Sequence, residues 1–385
     1  MLRIGLDKDV HKKISTDVML LFFVLCLAGI GIVMVFSASS ALAGQKFGSQ
    51  YFFLKKQAIF FLMGLAVMGG CRKISYHYFK PMAYPLLGIS ALFLLALQVP
   101  FWGYASTGSI RWLNMGFFSF QPSEVARFAM VVFLSYSMSK KLDAMKIFHV
   151  GFLPHIIVLV LFTALIFMQP DFGSAVALVM LTWIMLFVGG ARILHLGGTI
   201  LALLPVVYLF MMSASYRVKR IETFLNPWDY ASGDGYQIIH SLMAFGSGGV
   251  WGTGIGGGYQ KLFYLPEPHT DFILSVIGEE LGLVGIFFIL ALYGGIVWQG
   301  IKISIQTKDS FGSFLAMGLI TAIGLQTLVN MGVVMGLLPT KGLALPFLSY
   351  GGTSLLINMA SIGILMNIGA NLREKKYESS GIGKK

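Results

Sequence analysis

The chain has 385 residues, of which 56% are hydrophobic and only 11% charged, and its mean hydropathy is +0.79. So few charges exclude a soluble protein of this length, and apolar runs of spanning length recur from Thr16 to Ile368, which predicts an all-α integral membrane protein of about ten spans. The formal net charge of +12 does not mark a nucleic-acid face, because Lys and Arg gather at helix ends without interleaved aromatics; there they set orientation.

Residues 1–16 are polar, and the first apolar run, Val18 to Phe36, is long enough to span, so it is expected to remain as the first helix. Spans are expected near 17–39, 57–70, 82–98, 122–138, 150–168, 172–189, 197–213, 271–299, 312–335 and 348–370. A cytoplasmic N-terminus places most basic residues inside, together with the basic tail 371–385. Lys55 and Lys56 run against this rule, since they precede the second span on the outer side; either they snorkel or they attract an anion. Cys26 and Cys71 lie far apart in this topology, so neither a disulfide nor a metal cluster is expected.

The first outer turn with a specific look is GSIRWLNMGFFSFQPSEVAR, residues 108–127. Pro122 and Ser123 are helix-start residues, and Glu124 and Arg127, three apart, share a face one turn inside the membrane and can pair. Asp171 breaks the apolar run between the fifth and sixth spans. Its simplest role is to cap the helix that follows, and a role at a lipid site stays open.

Residues 214–270 form one long extracytoplasmic loop, too long to be idle. Tyr236 to Phe245 has the spacing of an amphipathic helix, and the loop is expected to fold as a cap over a groove. Gly252, Gly254 and Gly257 spell GxGxxG, but no strand precedes them and no βαβ unit follows, so they read as hinge glycines and not as a dinucleotide site. Arg217, Lys219 and Arg220, just outside a span, suit either a lipid phosphate or simple headgroup snorkelling.

The stretch YLPEPHTDFILSVIGEELGLVG, residues 264–285, runs from a polar loop straight into an apolar helix. It brings Glu267, His269 and Asp271 to the helix mouth, where a carboxylate is partly desolvated and can act as a base. An Asp at a helix start is by default an N-cap, so Asp271 has both readings. Glu279 and Glu280 follow inside the span. Further on, Gln326 and Asn330 lie one turn apart and can join helices, Lys341 stands among prolines and glycines, and Ser349 begins the small-residue run that heads the last span.

Taken together, QPSE at 121–124, QPDFG at 169–173, NPW at 226–228, LPEPHTDFI at 265–273, GEELG at 278–282, LPTKG at 338–342 and SYGGTS at 349–354 resemble the SEDS family of bacterial cell-wall proteins over nearly the whole chain. The wording at 241–249, 259–272 and 335–352 is closer to the division member than to the elongation member; the main departure is Pro268, where division-type sequences often carry Ala. The resemblance implies a single membrane domain that polymerises lipid II as a peptidoglycan glycosyltransferase at the outer face of the cytoplasmic membrane. It also implies a class B penicillin-binding transpeptidase and other divisome membrane proteins as partners, with no nucleic acid, at the division septum. Asp271 matches the family's essential Asp. Arg217, Arg220, Glu267, His269 and Lys341 are candidates for substrate binding, and Glu124, Arg127, Asp171, Glu279, Glu280 and Ser349 for support. Basic residues, or a divalent cation such as Mg2+ or Mn2+, would offset charge on the pyrophosphate leaving group. A transporter of the same lipid, and an elongation-type polymerase, remain as alternatives.

Overall fold

The computed structural model describes residues 16–379 apart from 100–102, 107–108, 115–118, 214, 234, 263 and 341. The described residues form helices α1 (Thr16–Phe47), α2 (Phe52–Lys73), α3 (Phe79–Ala96), α4 (Pro122–Lys140), α5 (Leu153–Phe167), α6 (Phe172–Val188) and α7 (Ile193–Met212). These are followed by α8 (Ser215–Leu225), α9 (Tyr236–Gly248), α10 (Ile273–Gln306), α11 (Ser310–Val334) and α12 (Gly352–Ser379). Seven helices are long and apolar enough to cross a membrane; α6 and the Ile193–Leu209 part of α7 are shorter apolar helices, and α4 carries the charged pair in the fourth predicted position. Every predicted span therefore falls on a helix. The eighth begins at Ile273, so Asp271 precedes it.

The apolar surface of α1 shows why such a helix sits in a bilayer. Leu20, Val24 and Leu27 are wholly buried at helical spacing, while Phe22 and Val33 face outward, so one side packs on the bundle and the other suits lipid. Helices α4, α11 and α12 lie deeper, with buried residues on nearly every face. Close approach of α2 and α12 depends on Gly363, whose position leaves no room for a Cβ beside Met68 and Cys71.

Between α3 and α4 lies a small antiparallel sheet, β1 (Gly103–Ser106), β2 (Ser109–Asn114) and β3 (Ser119–Phe120), with Leu113 paired to both Gly103 and Phe120. The sequence reading did not anticipate it, because three strands this short leave little period-two signal. Thr353 of α12 anchors its last strand, accepting from the Gln121 N–H at 3.2 Å and donating to the Ser119 carbonyl at 3.3 Å.

Helix α10 is broken at Gly282 (φ 64°, ψ −165°). The segment after α9 fills the break: the N–H groups of Leu283 and Val284 donate to the carbonyls of Gly249 and Val250 at 3.0 and 3.2 Å, and those of Thr253 and Gly254 donate to Glu279 and Glu280 at 3.0 Å. Irregular backbone inside an apolar bundle is tolerated only when its polar groups are satisfied in this way. Gly252 and Gly254, expected as hinges, have φ of 80° and 89°, and Gly252 lies against the α10 backbone with no space for a Cβ. They are a clasp, and at Gly252 only glycine combines that φ with so close an approach.

Candidate active site

The turn before α10 presents Asp271. Glu267 sits in the left-handed region (φ 45°), and its carbonyl accepts from both the Thr270 N–H at 3.1 Å and the Thr270 hydroxyl at 2.8 Å. Asp271 does not cap α10: the N-cap position is Phe272, and no side chain bonds there. One carboxylate oxygen, Oδ1, accepts from Thr270 Oγ1 at 2.8 Å. A Cβ placed on Gly342 would stand 3.5 Å from the other, Oδ2, and 3.9 Å from Arg111 Nη1. Desolvation pushes the half-buried Asp271 carboxyl up from 3.8 to about 6, and the Thr270 hydroxyl holds it back only in part.

Two amides on α11 hold the facing loop. Asn330 Nδ2 donates to the carbonyls of Asp271 and Leu343, at 2.8 and 2.7 Å, and Gln326 Nε2 donates to the Ala344 carbonyl at 2.7 Å. Gln326 Oε1 in turn accepts from Arg127 Nη2 at 2.8 Å, and the same nitrogen pairs with Glu124. The intramembrane charge pair is thus linked through one amide to the backbone opposite Asp271. Ser349 closes that loop by accepting from the Leu345 N–H at 2.7 Å, and its carbonyl accepts from Gln57 Nε2 at 3.4 Å.

Asp171 is the N-cap of α6, accepting from the Ser174 N–H at 3.2 Å and the Ser174 hydroxyl at 2.6 Å, and Arg111 Nη1 lies 3.9 Å away. Arg111, on β2, was missed in the sequence; its one signal is a lone cation in an otherwise neutral outer turn, GSIRW. Glu279 accepts from the N–H groups of Tyr259 and Gln260 at 2.8 and 3.2 Å. Glu280 is paired with Lys261 at 2.5 Å and takes the Ser37 hydroxyl at 2.7 Å. Both glutamates tie the 253–261 segment to the first half of α10.

Burial lowers the His269 imidazole to about 4, so it is neutral at pH 7, packed on Phe53 with ring centroids 4.2 Å apart. Glu267 is exposed. Arg217 donates to Ser213 Oγ at 2.8 Å within its own chain segment, and Arg220 is exposed on the same helix, α8, which packs on α7 and the 227–230 turn. Lys341 lies outside the described residues. Among the described residues no three His, Cys, Asp or Glu side chains converge on a metal position.

The family profile described as "Cell cycle protein", covering FtsW, RodA and SpoVE, matches residues 18–374. The chain belongs to this family. Among its FtsW/RodA/SpoVE relatives, a "probable peptidoglycan glycosyltransferase FtsW" of Geobacter metallireducens is 43% identical over 357 residues, covering 93% of this chain and 95% of that protein. Stage V sporulation protein E of Bacillus subtilis is 41% identical, covering 93% of this chain. Within the family the chain is most like the FtsW members. Two solved structures share the fold. One, described under "structural coordination of polymerization and crosslinking by a peptidoglycan synthase complex", has a TM-score of 0.75 at 28% identity and covers 92% of this chain and 97% of its own. RodA of Thermus thermophilus has a TM-score of 0.66 at 26% identity, with coverage of 91% and 96%.

Proposed function

We propose that the chain is a peptidoglycan glycosyltransferase of cell division, polymerising lipid II into glycan strands at the outer face of the cytoplasmic membrane. The observation that carries this is Asp271, a carboxylate free of capping duty and held near neutrality at the mouth of a spanning helix. A general base works best with a pKa close to the operating pH. In the transfer, the acceptor sugar's hydroxyl gives its proton to Asp271 Oδ2 and its oxygen bonds to the donor's anomeric carbon. The bond from that carbon to the pyrophosphate breaks, and its electron pair leaves with the pyrophosphate.

Relatives above 40% identity that carry the glycosyltransferase name support the reaction, and the synthase complex supports a crosslinking partner, which we take to be a class B penicillin-binding protein. Septal localisation and contacts with other divisome membrane proteins follow from the division reading. The test is to give purified protein lipid II, with and without the transpeptidase, and to size the glycan product. If no polymer forms and the lipid instead crosses vesicles, a transporter replaces the enzyme. Depletion is expected to block constriction while cells continue to elongate; rounded cells with normal septa would mark an elongation-type polymerase.

A further inference from the structure

Arg111 and Arg127 are both partly or wholly buried arginines next to a carboxylate, but their donors are used differently. Arg127 is saturated where it counts, with Nη2 shared between Glu124 and Gln326. Arg111 donates from Nη2 to the Pro170 carbonyl at 3.0 Å, while Nη1 is 3.9 Å from Asp171 Oδ1, too far for a hydrogen bond, and Nε is buried with no partner at all. Each Asp171 oxygen already accepts one hydrogen bond from Ser174. The carbonyl and the carboxylate therefore aim the guanidinium without satisfying it. Its Nη1 and Asp271 Oδ2 both lie beside Gly342, 3.9 and 3.5 Å from where a Cβ on that glycine would stand.

A guanidinium with spare N–H groups, fixed by a sheet that is itself tied to α12, is suited to a ligand with paired oxygens and negative charge. Taking the glycosyltransferase reading as the basis, we infer that Arg111 binds the pyrophosphate of the lipid-linked sugar and stabilises it as the leaving group, with Asp271 beside the same glycine, Gly342. Binding and proton removal are then divided between two residues. The outer cations Arg217 and Arg220 are not needed for this task.

The division of labour is directly measurable. Farnesyl pyrophosphate and farnesol serve as probes, titrated in detergent against wild type, Arg111→Gln, Arg111→Lys and Asp271→Asn, alongside KM and kcat for lipid II. Wild type and Asp271→Asn are expected to bind the pyrophosphate in preference to the alcohol. Arg111→Gln should lose at least about tenfold in that affinity and show a raised KM, as expected for a lost charge-assisted pair, and Arg111→Lys should lose less. Folding is followed by thermal melting. If Arg111→Gln melts normally and binds the pyrophosphate as wild type does, the inference is overturned. If Arg111→Gln fails to fold, Arg111→Lys decides, and wild-type affinity and KM in that variant overturn the bidentate role. Polymer formation by wild type together with unchanged binding in the variants would sink the inference alone. Absence of polymer with pyrophosphate binding that depends on Arg111 would sink the enzyme reading and leave the anion site.

Discussion

At the scale of single residues, Asp271 and the pair Glu124 and Arg127 make separable predictions. Asp271→Asn keeps the shape and the Thr270 hydrogen bond but removes the base, so polymer formation should fall about 10²- to 10⁴-fold while folding and partner binding persist. Near-wild-type polymerisation by this variant would remove Asp271 from the mechanism. In wild type the active form is the carboxylate, so turnover should rise with pH through about 6 and then level off. The stability effect has the opposite direction. The folded-state carboxyl, raised from 3.8 to about 6, binds its proton more tightly than the unfolded one, so folding loses that contribution as pH climbs between those values. Asp271→Asn should consequently match or exceed wild type in thermal stability at pH 7.5, with the difference disappearing below pH 4 or so. For the charge pair, Arg127→Ala strands a buried carboxylate and should cost roughly 3–5 kcal/mol. The Glu124→Arg, Arg127→Glu swap should recover more than either single change, but not everything: Gln326 would have to turn its amide and release the Ala344 carbonyl. A double-mutant cycle with additive losses would show that the two residues do not interact.

At the scale of elements, the break in α10 decides how Asp271 is presented. The half-helix Ile273–Leu281 is held by the clasp, by Glu279 on the Tyr259 and Gln260 N–H groups, and by Glu280 on Lys261. Gly282 sits in a region of backbone space open almost solely to glycine, and a Cβ there would press on the backbone of Val250, Trp251 and Gly252. Gly282→Ala is expected to abolish the folded, monodisperse protein in detergent, whereas Gly246→Ala, on the open side of α9 with nothing near a Cβ, should be neutral. Size-exclusion chromatography and thermal melting of both variants check this; a well-folded Gly282→Ala protein would mean that the clasp is dispensable.

At the scale of the whole molecule, the residues about Asp271 come from β2, α11 and the loops before α10 and α12. The basic residues at the opposite helix ends are the ground for proposing that the Asp271 end faces outside. A cysteine introduced at the exposed Gly233 should react with an impermeant thiol reagent from the outer face of intact spheroplasts. Labelling only after the membrane is opened would reverse the orientation and remove the site from the side where the proposed polymerisation takes place.

Much of this molecule was readable along the chain, because partition into lipid depends on local hydropathy and helix caps depend on adjacent residues. The positions of the spans, the amphipathic helix at Tyr236, the Asp171 cap and a carboxylate at the mouth of α10 all follow from neighbouring residues alone. What Asp271 faces does not. Arg111 and Asp271 come to the same glycine, Gly342, because a short sheet stands on α12 and because Asn330 and Gln326 hold the 343–344 backbone on α11. The broken helix is likewise invisible along the chain, since its unpaired backbone groups find their partners in a segment folded back from α9. These features are settled by contacts between residues distant in the chain, so the tertiary structure alone decides which carboxylate is left uncapped, which arginine is left unsatisfied, and that the two lie beside one glycine.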